Sequence, residues 1–192
     1  MQDVIMMIPD LKRIEKKVLG LERSRDLVMQ QSRQLIRSAG KAIAMMHAQG
    51  PKGAAGMLDE LKAHKKRLLG VERGFEYYSL QAHQEYSEAL ILHSILSRKR
   101  IPSMGEIGES EVAYLLGLMD VVGELKREAI ESLRGGRHKD AKAYYDLMAD
   151  IYDSTLHMRF ANSVLPDFRR KQDVARIQLE SVMNEMLHIT QD

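Results

Sequence analysis

From Asp3 to about His47 the chain sustains one helical pattern, longer than any other it contains. Apolar Ile14, Val18, Leu21, Val28, Leu35, Ile43 and Met46 recur at helical spacing, with only Gly20 and Gly40 intervening. The pattern predicts one very long helix, bent or straight. A helix of over 40 residues is ~60 Å long, longer than a compact domain of this size is wide. Part of its length is therefore expected to pack against a partner chain. The QGPKGAAG stretch at 49–56 breaks the pattern, because proline and repeated glycine end helices.

The remaining segments repeat the helical signal. Helices are expected over 54–69, over 71–98 with IPSMG from 101 as the stop, and over 110–133 with Gly135 and Gly136 after the last turn. Two more follow, near 138–160 and 166–189, the second with Pro166 in a first turn that tolerates it. Leu, Ala, Met, Glu, Lys, Arg and Gln dominate, and alternating β-branched runs are hard to find. The expectation is an all-α bundle of about six or seven long helices, forming a single domain over 1–192. The 13 methionines read as adaptable core filler.

Composition excludes several classes. No cysteine occurs, so disulfides and thiolate metal sites are impossible. No signal pattern and no membrane-crossing apolar run is present, so a cytoplasmic home without membrane contact is expected. The net charge of +2 hides an asymmetry: residues 1–100 carry 18 Lys/Arg against 11 Asp/Glu, residues 101–192 carry 11 against 16. Segregated charge allows a basic face for phosphates beside an acidic site for cations.

The stretch YLLGLMDVVGEL, 114–125, leaves almost no polar face, and a helix apolar all round is a buried helix. Asp120 and Glu124, four apart, project from nearly one side of it. In QEYSEALIL, 84–92, Glu85 and Glu88 share a face at a spacing of three. Four buried, unpaired carboxylates would unfold a domain, since each costs several kcal/mol against a total stability of ~5–15 kcal/mol. Two readings follow from the residues themselves. Either they pair with Arg or Lys from neighbouring helices or simply line solvent, or two facing pairs bind hard divalent cations, which suits phosphodiester hydrolysis.

The QEYSEA and YLLGLMDVVGEL phrases resemble the two acidic motifs of translin-associated factor X, the nuclease subunit of the translin family. The SRDLVMQQSRQLIRSAGKAIAMMH stretch, 24–47, is similar to the family's first helix, and FRRKQD, 168–173, to its last. The resemblance spans most of the chain and points to the archaeal type with the nuclease-subunit motifs. It implies a hollow homo-oligomer, an octamer, that encloses RNA. It also implies that Glu85, Glu88, Asp120 and Glu124 are catalytic carboxylates holding magnesium or manganese in an endoribonuclease. Plain translin subunits lack this full acidic set, so the competing expectation is a shell that binds RNA or single-stranded DNA without cutting it.

For phosphate contact the expected residues are Arg33, Arg37 and Lys41, a stripe along the first helix, with Arg73. Lys65, Lys66, Arg67 and Arg73 form a second basic cluster, and Arg169, Arg170 and Lys171 a third that could equally serve subunit packing. His83 and His93 lie near the first acidic pair, where ordinary polar or core roles are expected. A di-iron carboxylate bundle is disfavoured, since it needs Glu-x-x-His on two helices and only Glu185 to His188 has that spacing.

Overall fold

The structure, a computed structural model, describes residues 10–98 and 100–189. The first turns of the expected long helix, from Asp3, lie outside the described residues, as do the outer limits of the single domain. Seven helices are described: α1 (Leu11–Gly53), α2 (Ala55–Leu69), α3 (Glu76–Arg98), α4 (Met104–Ile107), α5 (Glu111–Arg134), α6 (His138–Thr155) and α7 (Phe168–Ile189). Among the described residues there is no strand, and no helix is long and apolar enough to cross a membrane.

Packing runs in a series. Helix α3 and helix α5 form the central pair; α1 and α2 cover α3 from one side, and α6 and α7 cover α5 from the other. Each central helix is thus flanked by other helices, which is why their sequences are apolar around most of the circumference. The core they share includes Leu35, Met46, Leu61, Ile91, Leu92, Leu116, Val121, Leu125 and Met148. Helix α1 outruns this core. From Asp10 through Leu27 every residue is exposed, including Leu11, Ile14, Val18 and Leu21 at helical spacing. An apolar stripe of that length on an unsupported helix needs a covering surface.

Three element boundaries differ from expectation for local reasons. Helix α1 runs past His47 to Gly50, whose φ of 75° breaks the helical path, and Pro51 then opens a last turn. Helix α3 begins at Glu76 rather than Val71, because Gly74 turns at φ 83° and its N–H donates to the Glu76 side chain at 2.9 Å. Helix α6 stops at Thr155 rather than residue 160. Gln172 Nε2 donates to the Thr155 carbonyl at 2.6 Å, and Arg159 Nη1 donates to the Leu156 and Met158 carbonyls at 2.6 and 2.7 Å. Side chains thereby satisfy carbonyls that further turns would have used. The single turn of α4, unforeseen in the sequence, is held by a capping box between Ser103 and Glu106.

A buried ionic cluster fixes the loops flanking α3. The Lys65 ammonium meets Glu109 and the Nδ1 of His83, and His83 Nε2 donates to Glu72 Oε2 at 2.7 Å. Lys65 also sits 5.1 Å from the centre of the Tyr86 ring. This corrects the placement of Lys65 among nucleic-acid contacts: it is buried and committed to an internal pair. His83 keeps the ordinary core role expected of it.

Candidate active site

The four carboxylates singled out in the sequence come together on the seam between the central helices. Glu85 and Glu88 stand on one face of α3, Asp120 and Glu124 on the facing side of α5, and Gly117 one turn before Asp120 lets the backbones approach. The expectation that all four are submerged holds only for Glu88, which is 8% exposed. The Asp120 and Glu124 side chains keep about a quarter of their surface, 24% and 25%. The reason is that no helix covers the Asp120 and Glu124 side of α5 completely, so the seam opens into a cleft.

Electrostatics show how closely the groups are set. Glu88 has its pKa pushed up to about 9, first by burial and then by the Asp120, Glu85 and Glu124 carboxylates, with Lys171 acting in the opposite direction. Glu85 is raised for the same reasons, burial first and Asp120 second. Among the described residues no cation pairs with Glu88. Four carboxyl groups on one seam, with Glu88 held neutral by its surroundings, are an all-oxygen donor set whose chemistry fits a hard divalent cation able to displace that proton.

Groups at the rim offset part of the cluster's negative charge. Lys171 of α7 pairs with Asp120 Oδ1, and Gln84 Nε2 donates to Asp120 Oδ2 at 2.5 Å. Gln81 hydrogen-bonds Glu85. His47 of α1 bridges Glu124 and Glu128 at 2.5 and 2.6 Å. Its pKa is raised to about 9, chiefly by the bond to Glu124 and next by that to Glu128, so the ring is an imidazolium at neutral pH. With Asp120 and Glu124 turned toward these partners, no three acidic or histidine side chains among the described residues converge on one ion position as they stand.

Sequence reasoning missed two of these rim residues and misplaced a third. His47 lies 77 residues from Glu124 and carries no local signal. Gln84 sits inside the acidic motif, and its i, i+4 relation to Glu88 was the available clue. Lys171 belonged to a basic run assigned to phosphate or subunit contact; it sits instead on the acidic site, 15% exposed. His93, the other histidine near the motif, is 3.2 Å from Ser97 Oγ. Glu185 and His188 are exposed near the end of α7.

The basic stripe divides. Arg37 and Lys41 of α1 share a cleft with His64 and Arg67 of α2, while Arg33 is exposed further along α1 and Arg73 is exposed in the loop before α3. His64 is lowered from its ordinary value by burial and then by Arg67, with Lys41 and Arg37 adding to it. Three cations, Arg37, Lys41 and Arg67, outnumber the one carboxylate lining this cleft, Glu60, and make it attractive to an anion.

Helical seams that hold facing carboxylate pairs at their centre define a class of acid-centred, all-α bundles. The chain belongs to the Translin family, whose profile matches residues 10–189. A relative in Methanocaldococcus jannaschii, the uncharacterized protein MJ0175, is 28% identical over 98% of this chain and 86% of its own length. Among solved structures, apo-NeC3PO superposes with a TM-score of 0.84 at 25% identity, covering 95% of this chain and 98% of its own. AfC3PO in complex with duplex RNA gives the same TM-score at 24% identity, covering 94% and 96%.

Proposed function

We propose that this chain is a divalent-metal-dependent endoribonuclease that works inside a hollow homo-oligomer, an octamer, enclosing RNA. One observation carries the reading: Glu88 is buried without an ion pair among Glu85, Asp120 and Glu124. Burial and the three neighbouring carboxylates keep its proton on, and a divalent cation held by the cluster would replace that proton and let the group ionise. The similar protein AfC3PO has been captured with duplex RNA, which supports RNA as the ligand here. The uncovered apolar stripe on α1, with exposed Val174, Ile177 and Leu187 on α7, supports assembly.

Glu85, Glu88, Asp120 and Glu124 would hold magnesium or manganese, which when bound supplies Lewis-acid activation of the phosphoryl group and of water. The chain's own residues bind and orient the strand. Lys171, beside Asp120, places a positive charge where a scissile phosphate would lie. His47 keeps Glu124 oriented through its imidazolium. Arg37, Lys41 and Arg67 in their cleft, with Arg33 and Arg73, supply sequence-independent phosphate contacts.

A second reading is a non-catalytic shell for RNA or single-stranded DNA. It is favoured by the Lys171–Asp120 and His47–Glu124 pairs, which offset two of the four charges internally. Cleavage of labelled single-stranded RNA, with magnesium or with chelator, separates the two. Wild type is expected to cut only with metal. Glu88→Gln and Asp120→Asn are each expected to lose at least about 100-fold in rate with RNA affinity kept. Full activity in both variants would remove these residues from the chemistry.

A further inference from the structure

A groove leads into the carboxylate cleft along the first half of α3. Its lining includes Tyr77, Gln81 and Gln84 on one face of α3, Leu116 of α5 as an apolar floor, and Arg170 and Lys171 at the start of α7. Its inner end is the acidic site itself, because Gln84 and Lys171 both bond Asp120. Its outer end carries Tyr77, which is 85% exposed. That ring makes almost no contact with the chain except through Tyr78, whose ring meets it edge to face at 5.6 Å and in turn packs against Phe75 at 6.3 Å.

We infer that this groove seats an unpaired stretch of RNA, with one base stacked on Tyr77 and the backbone drawn along Arg170 and Lys171 toward the carboxylates. The inference rests on the nuclease reading for its direction, since the strand must end at the acidic site. The dimensions fit. Tyr77 and Gln84 are seven residues apart, about 10 Å along a helix, which accommodates about three nucleotides at the ~3.4 Å rise of a stacked strand.

The chemistry fits as well. A bare ring fixed from behind by a second ring is a stacking platform, which any base satisfies through its π-face. Two cations opposite suit phosphates. Among the described residues Arg170 pairs with Asp167, which also lines the groove, at a loose 3.9 Å, so its guanidinium can turn to the backbone. Gln81 and Gln84 are oriented by Glu85 and Asp120, so the groove wall presents amides rather than bare charge to the sugars. Bases inside a duplex are stacked on both faces, and the one free face of an end pair cannot be drawn along the groove while its strand stays paired. Occupancy therefore demands an unpaired segment, an end or a single strand, and the groove discriminates such a segment from blunt duplex.

The test uses the full chain in chelator, so that nothing is cut, with a short fluorescein-labelled single-stranded RNA and a blunt duplex of the same sequence, read by anisotropy. Tyr77→Ala is expected to weaken single-strand binding by roughly 5- to 100-fold. Tyr77→Phe is expected to bind like wild type, since stacking needs the ring and not the hydroxyl. Duplex affinity and the particle size on gel filtration are expected to stay unchanged in both variants. Unchanged single-strand affinity in Tyr77→Ala overturns the inference, as does an equal loss on duplex. A changed particle size also overturns it, by assigning the ring to a subunit contact. Failure of the nuclease reading looks different: Glu88→Gln would still cut RNA while Tyr77→Ala lost its single-strand affinity.

Discussion

Gly117→Ala is expected to lower stability by about 3 kcal/mol and, at fixed protein concentration, to drop the melting temperature by roughly 6–12 °C. A Cβ at this position would stand 2.6 Å from Ser87 Cβ, 2.7 Å from the Gln84 carbonyl oxygen and 2.9 Å from the Glu88 backbone nitrogen. Two of those three atoms are backbone, so no rotamer change relieves the clash and α3 must move off α5. Separation of that pair also spreads Glu85 and Glu88 from Asp120 and Glu124, so RNA cleavage is expected to fall with stability. Gly40→Ala is the control. It sits in α1 with nothing within 4 Å of the added atom, and alanine there is expected to stabilise by about 0.5–1 kcal/mol through helix propensity alone. Calorimetry on the two variants decides the matter: a Gly117→Ala protein that melts with wild type would mean that the helices do not approach as closely as described.

The same glycine shows where sequence reading ends. Within YLLGLMDVVGEL the apolar periodicity announces a central helix, and Asp120 and Glu124 stand out because they interrupt it. Nothing local says that Gly117 touches Ser87, thirty positions earlier, since close approach is a property of two helices and not of one. The helix count was legible because Pro and Gly punctuate this chain clearly. The boundaries that shifted did so through tertiary bonds, such as Gln172 reaching the Thr155 carbonyl. The four carboxylates were legible as two pairs, and family resemblance joined the pairs into one site. Their counter-charges were not legible. His47 reads as one histidine at the end of an amphipathic run, and Lys171 as one of three consecutive cations on a solvated turn. Only the packing of α1 on α3, next to α5, and of α7 on α5 brings them to Glu124 and Asp120. The basic cluster at 65–67 was legible as charge and not as fate: Lys65 turns inward to Glu109 while Arg67 faces the cleft with Arg37 and Lys41.

The metal-free protein is expected to lose stability steadily as the pH rises from about 6 to about 9, and Glu88→Gln to remove much of that loss. In the folded chain Glu88 keeps its proton up to about 9, because burial and three neighbouring carboxylates oppose its charge, whereas its ordinary value is 4.5. Between those limits the folded state binds a proton that the unfolded state has released. Stability is therefore complete below the lower value and declines toward the upper one, at up to about 1.4 kcal/mol per pH unit. Proton sharing among coupled carboxyls spreads the decline, leaving a few kcal/mol across the accessible range. His47 adds a loss of the same sign, since its pairing with Glu124 and Glu128 raises it from 6.5 to about 9. That contribution persists in Glu88→Gln, so the difference between the two curves isolates the carboxyl. Thermal melts in chelator from pH 6 to pH 9 are expected to fall for wild type and to run flatter for the variant, with the variant the more stable of the two at the alkaline end. Millimolar magnesium at alkaline pH is expected to raise the wild-type melting temperature and to do far less for Glu88→Gln, because a cation held by the cluster favours the ionised carboxylate that only wild type can supply. Parallel curves with and without the substitution, and equal magnesium effects, would show that Glu88 is ionised at neutral pH without metal and that its surroundings neutralise it already.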